Sequence, residues 1–429
     1  MHTILKLPKK RLTTAGNLFL FYLRVNALYS LQKLFWCING YFCKGVMKKI
    51  FLLVNLCFAV CFNRHQKLFA QDSTRIRISL LTCSPGEELY ASFGHSALRV
   101  IDSNAVTDII YNYGTFDFDD PAFYSKFVRG KLFYALSIER PEDFLYSYHA
   151  ENRSVTEQVL DIAQPEALAI KHFLAENIKE EKRWYKYDFV RDNCTTRLRD
   201  ILVKLKKPAP QLPPVMPLDF TFRNAIHYYL DATQNYWSKL GIDLLLGSRM
   251  DVKMTAAEQQ FLPDNLMIAL DSTKNFNYVN VKQNLYTAAN YHSKIKWFRP
   301  IIFFLLIAFL WLLASFSKNK TMQVLLKWLD GILFFITGLL GCLFIFMWWG
   351  TDHFMTKDNY NMLWAIPFNC VAAFYTGKNK KGKSYFLFTS FVYTLLVLSW
   401  FFLPQQLNIA LLPFGILLMV RSYLIFKSK

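Results

Sequence analysis

What this 429-residue chain lacks narrows its class. Residues 1–70 hold eleven Lys/Arg and no Asp or Glu. The apolar runs after residue 297 carry almost no ionisable side chain away from their ends. Residues 72–290 contain only two cysteines, Cys83 and Cys194. Two cysteines cannot make a disulfide framework; they leave one bridge or one nucleophile. Apolar runs without charges near mid-membrane argue against ion or proton transport. His149, His172, His227 and His292 lack metal-ligand spacing to one another, so neither a metal nor another cofactor is expected.

The formal charge of +19 suggests nucleic acid until it is located. Residues 297–429 hold twelve Lys/Arg against Asp330, Asp352 and Asp358, which leaves 27 basic and 28 acidic residues between 71 and 296. The excess therefore belongs to targeting and membrane segments. A nucleic-acid footprint needs a basic face on the folded domain, and none is demanded here.

The composition, 53% hydrophobic and 17% aromatic, is too apolar for a purely soluble chain of this length. Met47-Lys48-Lys49 before the apolar run 50–61 reads as a signal peptide over 47–71, with small-residue cleavage near Phe69-Ala70-Gln71. If cleavage fails, the same segment is an anchor. Residues 1–46 read as an upstream extension. Apolar runs at about 298–317, 328–349, 360–376, 384–403 and 407–426 predict five spans within 298–427. Lysines fall in alternate joints: Lys318, Lys320 and Lys327, then Lys378, Lys380, Lys381 and Lys383, then Lys427 and Lys429. The positive-inside bias then puts the C-terminus in the cytoplasm and the domain at 72–290 outside the inner membrane. His353, Asn359 and Asn361, with Pro367 and Asn369 further in, form a polar patch at the outer end of the second and third spans. It reads as an interfacial cap and packed kink, or as a patch completing a site with the outer domain.

Within 72–290, residues 75–83, 94–101 and 107–113 read as strands, the last two joined by a hairpin. With Ser103-Asn104 as a two-residue turn, His95 lies opposite Asn112, whose amide would orient the imidazole. Asp192 or Asn193 caps a helix whose stripe is Leu198, Ile201, Leu202 and Leu205. Cys194 lies in its first turn, where the helix dipole favours thiolate. Cys194, His95 and Asn112 are thus candidates for nucleophile, base and orienter, with Asn193, Asp192 and Thr195 as capping or oxyanion candidates. The bland alternatives are a buried inert Cys194, a Cys83–Cys194 bridge, and a hydrogen-bonded core His95. Asn152-Arg153-Ser154 matches a glycosylation sequon, a pattern short enough to arise by chance. Helical runs are expected at 218–231 and 255–272.

Residues 80–100 (Leu-Leu-Thr-Cys-Ser-Pro-Gly-Glu-Glu-Leu-Tyr-Ala-Ser-Phe-Gly-His-Ser-Ala-Leu-Arg-Val), 111–118 (Tyr-Asn-Tyr-Gly-Thr-Phe-Asp-Phe) and 192–197 (Asp-Asn-Cys-Thr-Thr-Arg) resemble the bacterial Lnb N-terminal periplasmic domain. Gly247–Asp251 and Phe261-Leu262-Pro263 resemble its C-terminal stretch, and His353, Asn359, Asn361 and Pro367 are similar to the Lnb-like transmembrane domain. A more distant likeness, His on a strand before Cys at a helix start, is to circularly permuted papain-like proteins of the NlpC and lecithin:retinol acyltransferase types. The resemblance implies an α+β, permuted papain-like domain followed by an all-α bundle of five transmembrane helices. It implies a thiol hydrolase or acyltransferase acting on an envelope peptide, peptidoglycan, amide or lipid ester. The alternative it implies is a non-catalytic maturation factor for exported proteins.

Overall fold

The computed structural model describes residues 75–116, 120–289, 296–376 and 380–428. The expectations for residues 1–71, including the signal peptide, lie outside the described residues.

The N-terminal domain is built on a seven-stranded, fully antiparallel sheet in the order β6-β4-β3-β2-β1-β5-β7. Its strands are β1 (Ile76–Cys83), β2 (His95–Asp102), β3 (Thr107–Thr115), β4 (Phe133–Glu139), β5 (Val155–Leu160), β6 (Trp184–Lys186) and β7 (Val279–Tyr286). Central β1 is buried at all but one position, as a strand covered on both faces must be. One face packs on helices α3 (Gln164–Asn177) and α4 (Cys194–Leu205) through Leu80, Leu98, Ile170, Leu174, Leu198 and Leu202. The other is covered by α2 (Pro141–Ala150), whose Phe144 joins Leu81, Ala97 and Val155. A short helix, α1 (Phe123–Val128), lies between β3 and β4.

The β2–β3 hairpin differs from expectation. Its partners are Leu98↔Tyr111 through Asp102↔Thr107, two residues out from the predicted pairing. The reason is Asp102: its Oδ1 accepts from the amides of Asn104 (2.9 Å) and Ala105 (3.1 Å), closing a four-residue loop that ends with Val106 at φ +53°.

Helices α5 (Phe222–Ala232) and α6 (Tyr236–Leu245) follow, and the run expected at 255–272 divides at Pro263 into a 3-10 turn, Glu258–Phe261, and α7 (Pro263–Asp271). Helix α5 packs with Phe93, Val190, Met250 and Phe261 of the N-terminal domain, whereas α6 and the segment after it are bonded to the C-terminal region. Asn361 donates to the Asp243 carbonyl (2.8 Å), Asn359 to the Leu244 carbonyl (2.8 Å) and Gln405 to the Leu246 carbonyl (3.0 Å). Asn408 donates to Asp243 Oδ2 (2.8 Å), and Arg249 pairs with Asp358 at 2.8 Å.

The C-terminal region is helical: α8 (Pro300–Ser315), α9 (Lys320–Trp349), α10 (Asn369–Ala372), α11 (Lys380–Ser399) and α12 (Leu412–Lys427). By length and apolarity, Lys320–Trp349 and Ile409–Lys427 can each cross a bilayer, and Pro300–Ser315 is a shorter apolar helix. Phe309, Leu313, Trp328, Phe388, Phe391 and Leu398 are exposed, which water would penalise and a lipid solvent would not.

The segment expected as a third span with a packed kink, 360–376, is broken further than a kink, into 3-10 turns and the four-residue α10. Pro367 cannot continue a helix, and the segment packs too tightly on α9 for regular side chains. A Cβ on Gly341 would lie 2.1 Å from the Ala365 carbonyl oxygen, and one on Gly338 would lie 2.2 Å from Cys370 N. Freed polar groups are satisfied inside: Asn369 donates to Thr337 Oγ1 and Tyr393 Oη (both 3.0 Å) and accepts from Tyr385 Oη (2.6 Å). Asp330 and Arg421 form a buried pair (2.8 Å) that joins α9 to α12, and Arg421 reaches Ser315 Oγ on α8 (2.6 Å).

Candidate functional site

Cys194 is the first residue of α4, and its position follows from how that helix starts. Asn193 is the cap: its Oδ1 accepts from Thr196 N (2.8 Å), and Thr196 Oγ1 accepts in return from Asn193 N (2.8 Å). The Asn193 amide nitrogen also donates to the carbonyls of Phe189 (2.7 Å) and Phe261 (2.9 Å). All its polar capacity holds the helix start, so no donor is left for a substrate. Asp192 is held by Arg197, Oδ1 to Nε at 2.6 Å and Oδ2 to Nη2 at 2.8 Å. Thr195 Oγ1 lies 3.7 Å from the Cys194 sulfur and 3.1 Å from Ser96 Oγ.

His95 begins β2. The preceding Gly94 has φ +78°, and a side chain there would meet the Cys83 carbonyl oxygen at 2.6 Å. Glycine therefore permits the turn that delivers the imidazole. His95 Nε2 lies 2.6 Å from Asn112 Oδ1 despite the changed register. A two-residue shift keeps both side chains on one face, and the contact becomes diagonal. Asn112 Nδ2 donates to Glu139 Oε1 at 2.7 Å. A carboxylate only accepts, so Glu139 sets the amide orientation, Asn112 Oδ1 faces His95, and Nε2 carries the proton. That leaves Nδ1 for the thiol.

The imidazole lies near enough to the thiol for each to shift the other's titration. Burial raises the Cys194 pKa, but the charge and hydrogen bond of His95, the Ser96 amide and the Thr195 hydroxyl outweigh it and bring it down to about 7. Burial alone would depress His95; the neighbouring sulfur and Asn112 raise it above its ordinary value. Each group favours the charged form of the other, and the two titrate as a pair. Cys83 provides the contrast. It faces His95 across the β1–β2 ladder, yet burial pushes its thiol up to about 12. Both cysteines are free, so no Cys83–Cys194 bridge is present.

Around the sulfur, Gly114 (φ +97°) brings bare backbone close: a Cβ there would lie 3.7 Å from Cys194 Cβ, 3.9 Å from Tyr185 Oη and 4.0 Å from Tyr187 Cε2. Tyr185 Oη is buried without a hydrogen-bond partner. Glu139, Tyr185, Tyr187 and the Ser96 amide were missed by sequence reasoning. Gly114 lies within the 111–118 motif and could have been singled out; Glu139 has no local signature.

The polar patch is placed elsewhere. Asn359 caps a 3-10 turn through Asn361 N (3.0 Å), both amides hold α6 as described, and His353 Nε2 donates to the Phe127 carbonyl at 2.9 Å. These residues join domain to membrane region and do not touch Cys194. A cavity of about 580 Å³ between α5, α6 and the 403–410 joint, lined by His227, Asp243, Arg299 and Trp400, is likewise separate from the thiol. Among the described residues no cluster of His, Cys, Asp or Glu could hold a metal ion.

The N-terminal half of this arrangement matches the Lnb N-terminal periplasmic domain over residues 66–226, and the helical region matches the Lnb transmembrane domain over residues 292–429. The chain belongs to the Lnb family. It is therefore a membrane-associated protein with a periplasmic N-terminal domain and a region in contact with the lipid bilayer. Comparison with curated proteins and with solved structures finds no match.

Proposed function

We propose that this Lnb protein is a membrane-anchored thiol hydrolase or acyltransferase working on the periplasmic side of the inner membrane. The observation that carries the reading is the Cys194 thiol brought down to about 7 beside His95, Asn112 and Glu139, in a domain whose other thiol stands near 12. The Cys194 thiolate attacks an acyl carbonyl, and the carbonyl electrons move onto oxygen. The Tyr185 hydroxyl is the available donor for that oxyanion, together with main-chain amide at the start of α4. Collapse breaks the bond to the leaving oxygen or nitrogen, which takes the proton from His95 Nδ1 and leaves a thioester on Cys194. Water, or an acceptor hydroxyl or amine, then gives a proton to His95, attacks the thioester and releases the thiol. The histidine strand preceding the cysteine helix is the order of the permuted papain-like group, which we take as the domain's fold.

The topology we propose has five crossings and a cytoplasmic C-terminus. Loops 350–360 and 403–410 bond to the periplasmic domain, which favours the outer side for both. The broken third segment descends α9 from Asn361 to Thr376, whose Oγ1 donates to the Lys327 carbonyl (3.4 Å). From Met347 to Lys327 a helix rises about 30 Å, the thickness of the hydrocarbon core. We take the domains as 47–71 signal peptide, 72–290 periplasmic domain and 298–427 membrane domain.

The test is a set of substitutions in the full-length protein, assayed on acyl esters and amides and in cells deleted for the gene. Cys194→Ser and His95→Ala should both lose turnover and complementation while remaining abundant and folded, and Cys83→Ser should retain both. Retention by Cys194→Ser would instead favour a binding or maturation role.

A further inference from the structure

Tyr185 stands beside the nucleophile on a strand too short to hold it there. Strand β6 has three residues, lies at the sheet edge and pairs with β4 alone, Tyr134↔Tyr185. An edge with so few ladder bonds opens readily. The phenol is nevertheless buried, and its Oη has no hydrogen-bond partner. That oxygen lies 3.9 Å from the point a Cβ on Gly114 would occupy, against 3.7 Å for Cys194 Cβ. A buried hydroxyl left unpaired costs on the order of 1–3 kcal/mol, so its persistence beside a nucleophile asks for a task.

Two contacts fix the ring. Arg197 on α4 lays its guanidinium over the ring face, Cζ 3.6 Å from the centroid, and Tyr113 on β3 meets it edge-on with centroids 6.1 Å apart. Arg197 stands three residues after Cys194, so guanidinium and sulfur share one side of the helix. The guanidinium cannot turn away, because Asp192 grips it at Nε (2.6 Å) and Nη2 (2.8 Å). Asp192 is held in turn: its amide donates to the Asp188 carbonyl (2.9 Å), and its carbonyl accepts from the Asp188 amide (3.2 Å). This clamp ties β6 to the helix that carries the sulfur. Burial, then the neighbouring sulfur, push the Tyr185 phenol up, so it keeps its proton; Arg197 works against them, and Asp192 opposes Arg197 more weakly. A cation on the ring face draws density from the phenol and makes its O–H a stronger donor.

We propose that Arg197, clamped by Asp192, is a positioning residue that holds Tyr185 against the carbonyl oxygen of the acyl group attacked by Cys194. The inference rests on the thiol chemistry proposed above. As the thiolate pair forms the S–C bond, the C=O π pair moves onto oxygen, and the Tyr185 hydroxyl donates a hydrogen bond to it while keeping its proton. When that pair returns to carbon and the leaving group departs, the hydrogen bond weakens again. The guanidinium touches no reacting atom and acts only through the ring it covers.

The test compares two reagents on the full chain in lipid nanodiscs. Attack on p-nitrophenyl acetate forms an oxyanion, whereas displacement on iodoacetamide, at a saturated carbon, forms none. Mass spectrometry reads acetylation and alkylation of Cys194. Tyr185→Phe should slow acetylation about a hundredfold and Arg197→Gln about tenfold, with alkylation unchanged in both. In the double variant, Arg197→Gln should add nothing to the loss from Tyr185→Phe, because its effect passes through the hydroxyl. Arg197→Lys keeps the charge but not the flat stack; it should recover part of the rate, and it carries the same cycle if Arg197→Gln fails to fold. Acetylation unchanged in Tyr185→Phe, additive losses, or alkylation falling in step with acetylation each overturn the proposal and leave the nucleophile intact. A wild-type Cys194 that is alkylated but never acetylated removes the acyl chemistry and this inference with it, and one that resists both reagents removes the reactive thiol itself.

Discussion

At the residue scale, chemistry at Cys194 depends on which nitrogen of His95 holds the proton, and that is decided two residues away. Glu139 can only accept, Asn112 must then present its oxygen to Nε2, and Nδ1 is the nitrogen left for the proton exchange proposed with Cys194. Glu139→Gln removes the constraint, because a glutamine can donate to Asn112 and let its amide reverse. Turnover or alkylation of Cys194 at pH 7 should fall about tenfold to hundredfold, within the usual scale of proton-transfer effects. Asn112→Ala should do the same. A variant that alters melting temperature but not the pH profile would make Asn112 structural only. The Asn193 cap ahead of Cys194 was legible from local chemistry, whereas Gly94-His95 stood out only through the family resemblance, because the sequence placed Gly94 in a strand and not in a turn. Glu139 was not legible, because its role exists only once β4 lies beside β3.

At the element scale, two devices are costly to disturb. Asn193 closes the start of α4 and ties it to Phe189 and Phe261. Asn193→Ala removes the cap and takes a donor from the Phe189 and Phe261 carbonyls, and should cost about 2–3 kcal/mol in chemical denaturation of the protein. The second device is the close contact of α9 with the broken third segment. Gly338→Val would drive methyl groups into Cys370 and should lower thermal stability by about 1–3 kcal/mol, the usual scale of overpacking; a melt unchanged from wild type would contradict this packing. Hydropathy located this segment and Pro367 signalled a kink, but neither showed the extent of the break. Periodicity sees apolar content, whereas the break follows from Pro367, two glycines on a neighbouring helix and an internal partner set for Asn369. The hairpin register failed for a similar reason: the Asp102 carboxylate selects a four-residue loop by capturing amides, a choice invisible to alternation.

At the scale of the whole molecule, the periplasmic domain sits on loops 350–361 and 403–408 through amide side chains that donate to backbone carbonyls. Those carbonyls lie at the C-terminal end of α6, where a helix has acceptors to spare. The account predicts the sidedness of single cysteines in spheroplasts. A membrane-impermeant maleimide should reach Ala105→Cys directly and Ser428→Cys only after permeabilisation. Equal labelling of both would contradict five crossings. The charge pattern predicts this topology and the labelling tests it, whereas the docking of α6 was signalled only by Asn359 and Asn361 in the polar patch, and Gln405 and Asn408 carried no signal.

The central claim is that Cys194 and His95 share a proton. Its direct measurement is the rate of Cys194 alkylation by a small neutral reagent against pH, in wild type and His95→Ala. The Cys194 pKa is depressed, so reactivity should be low in acid, rise through about pH 7 and level off above it, while Cys83 stays inert until about pH 12. In His95→Ala the burial effect is left unopposed by the imidazole, so the midpoint should move up by a unit or more and the rate at pH 7 should fall at least about tenfold. An identical profile in the two proteins, or a Cys194 as unreactive as Cys83, would contradict the account.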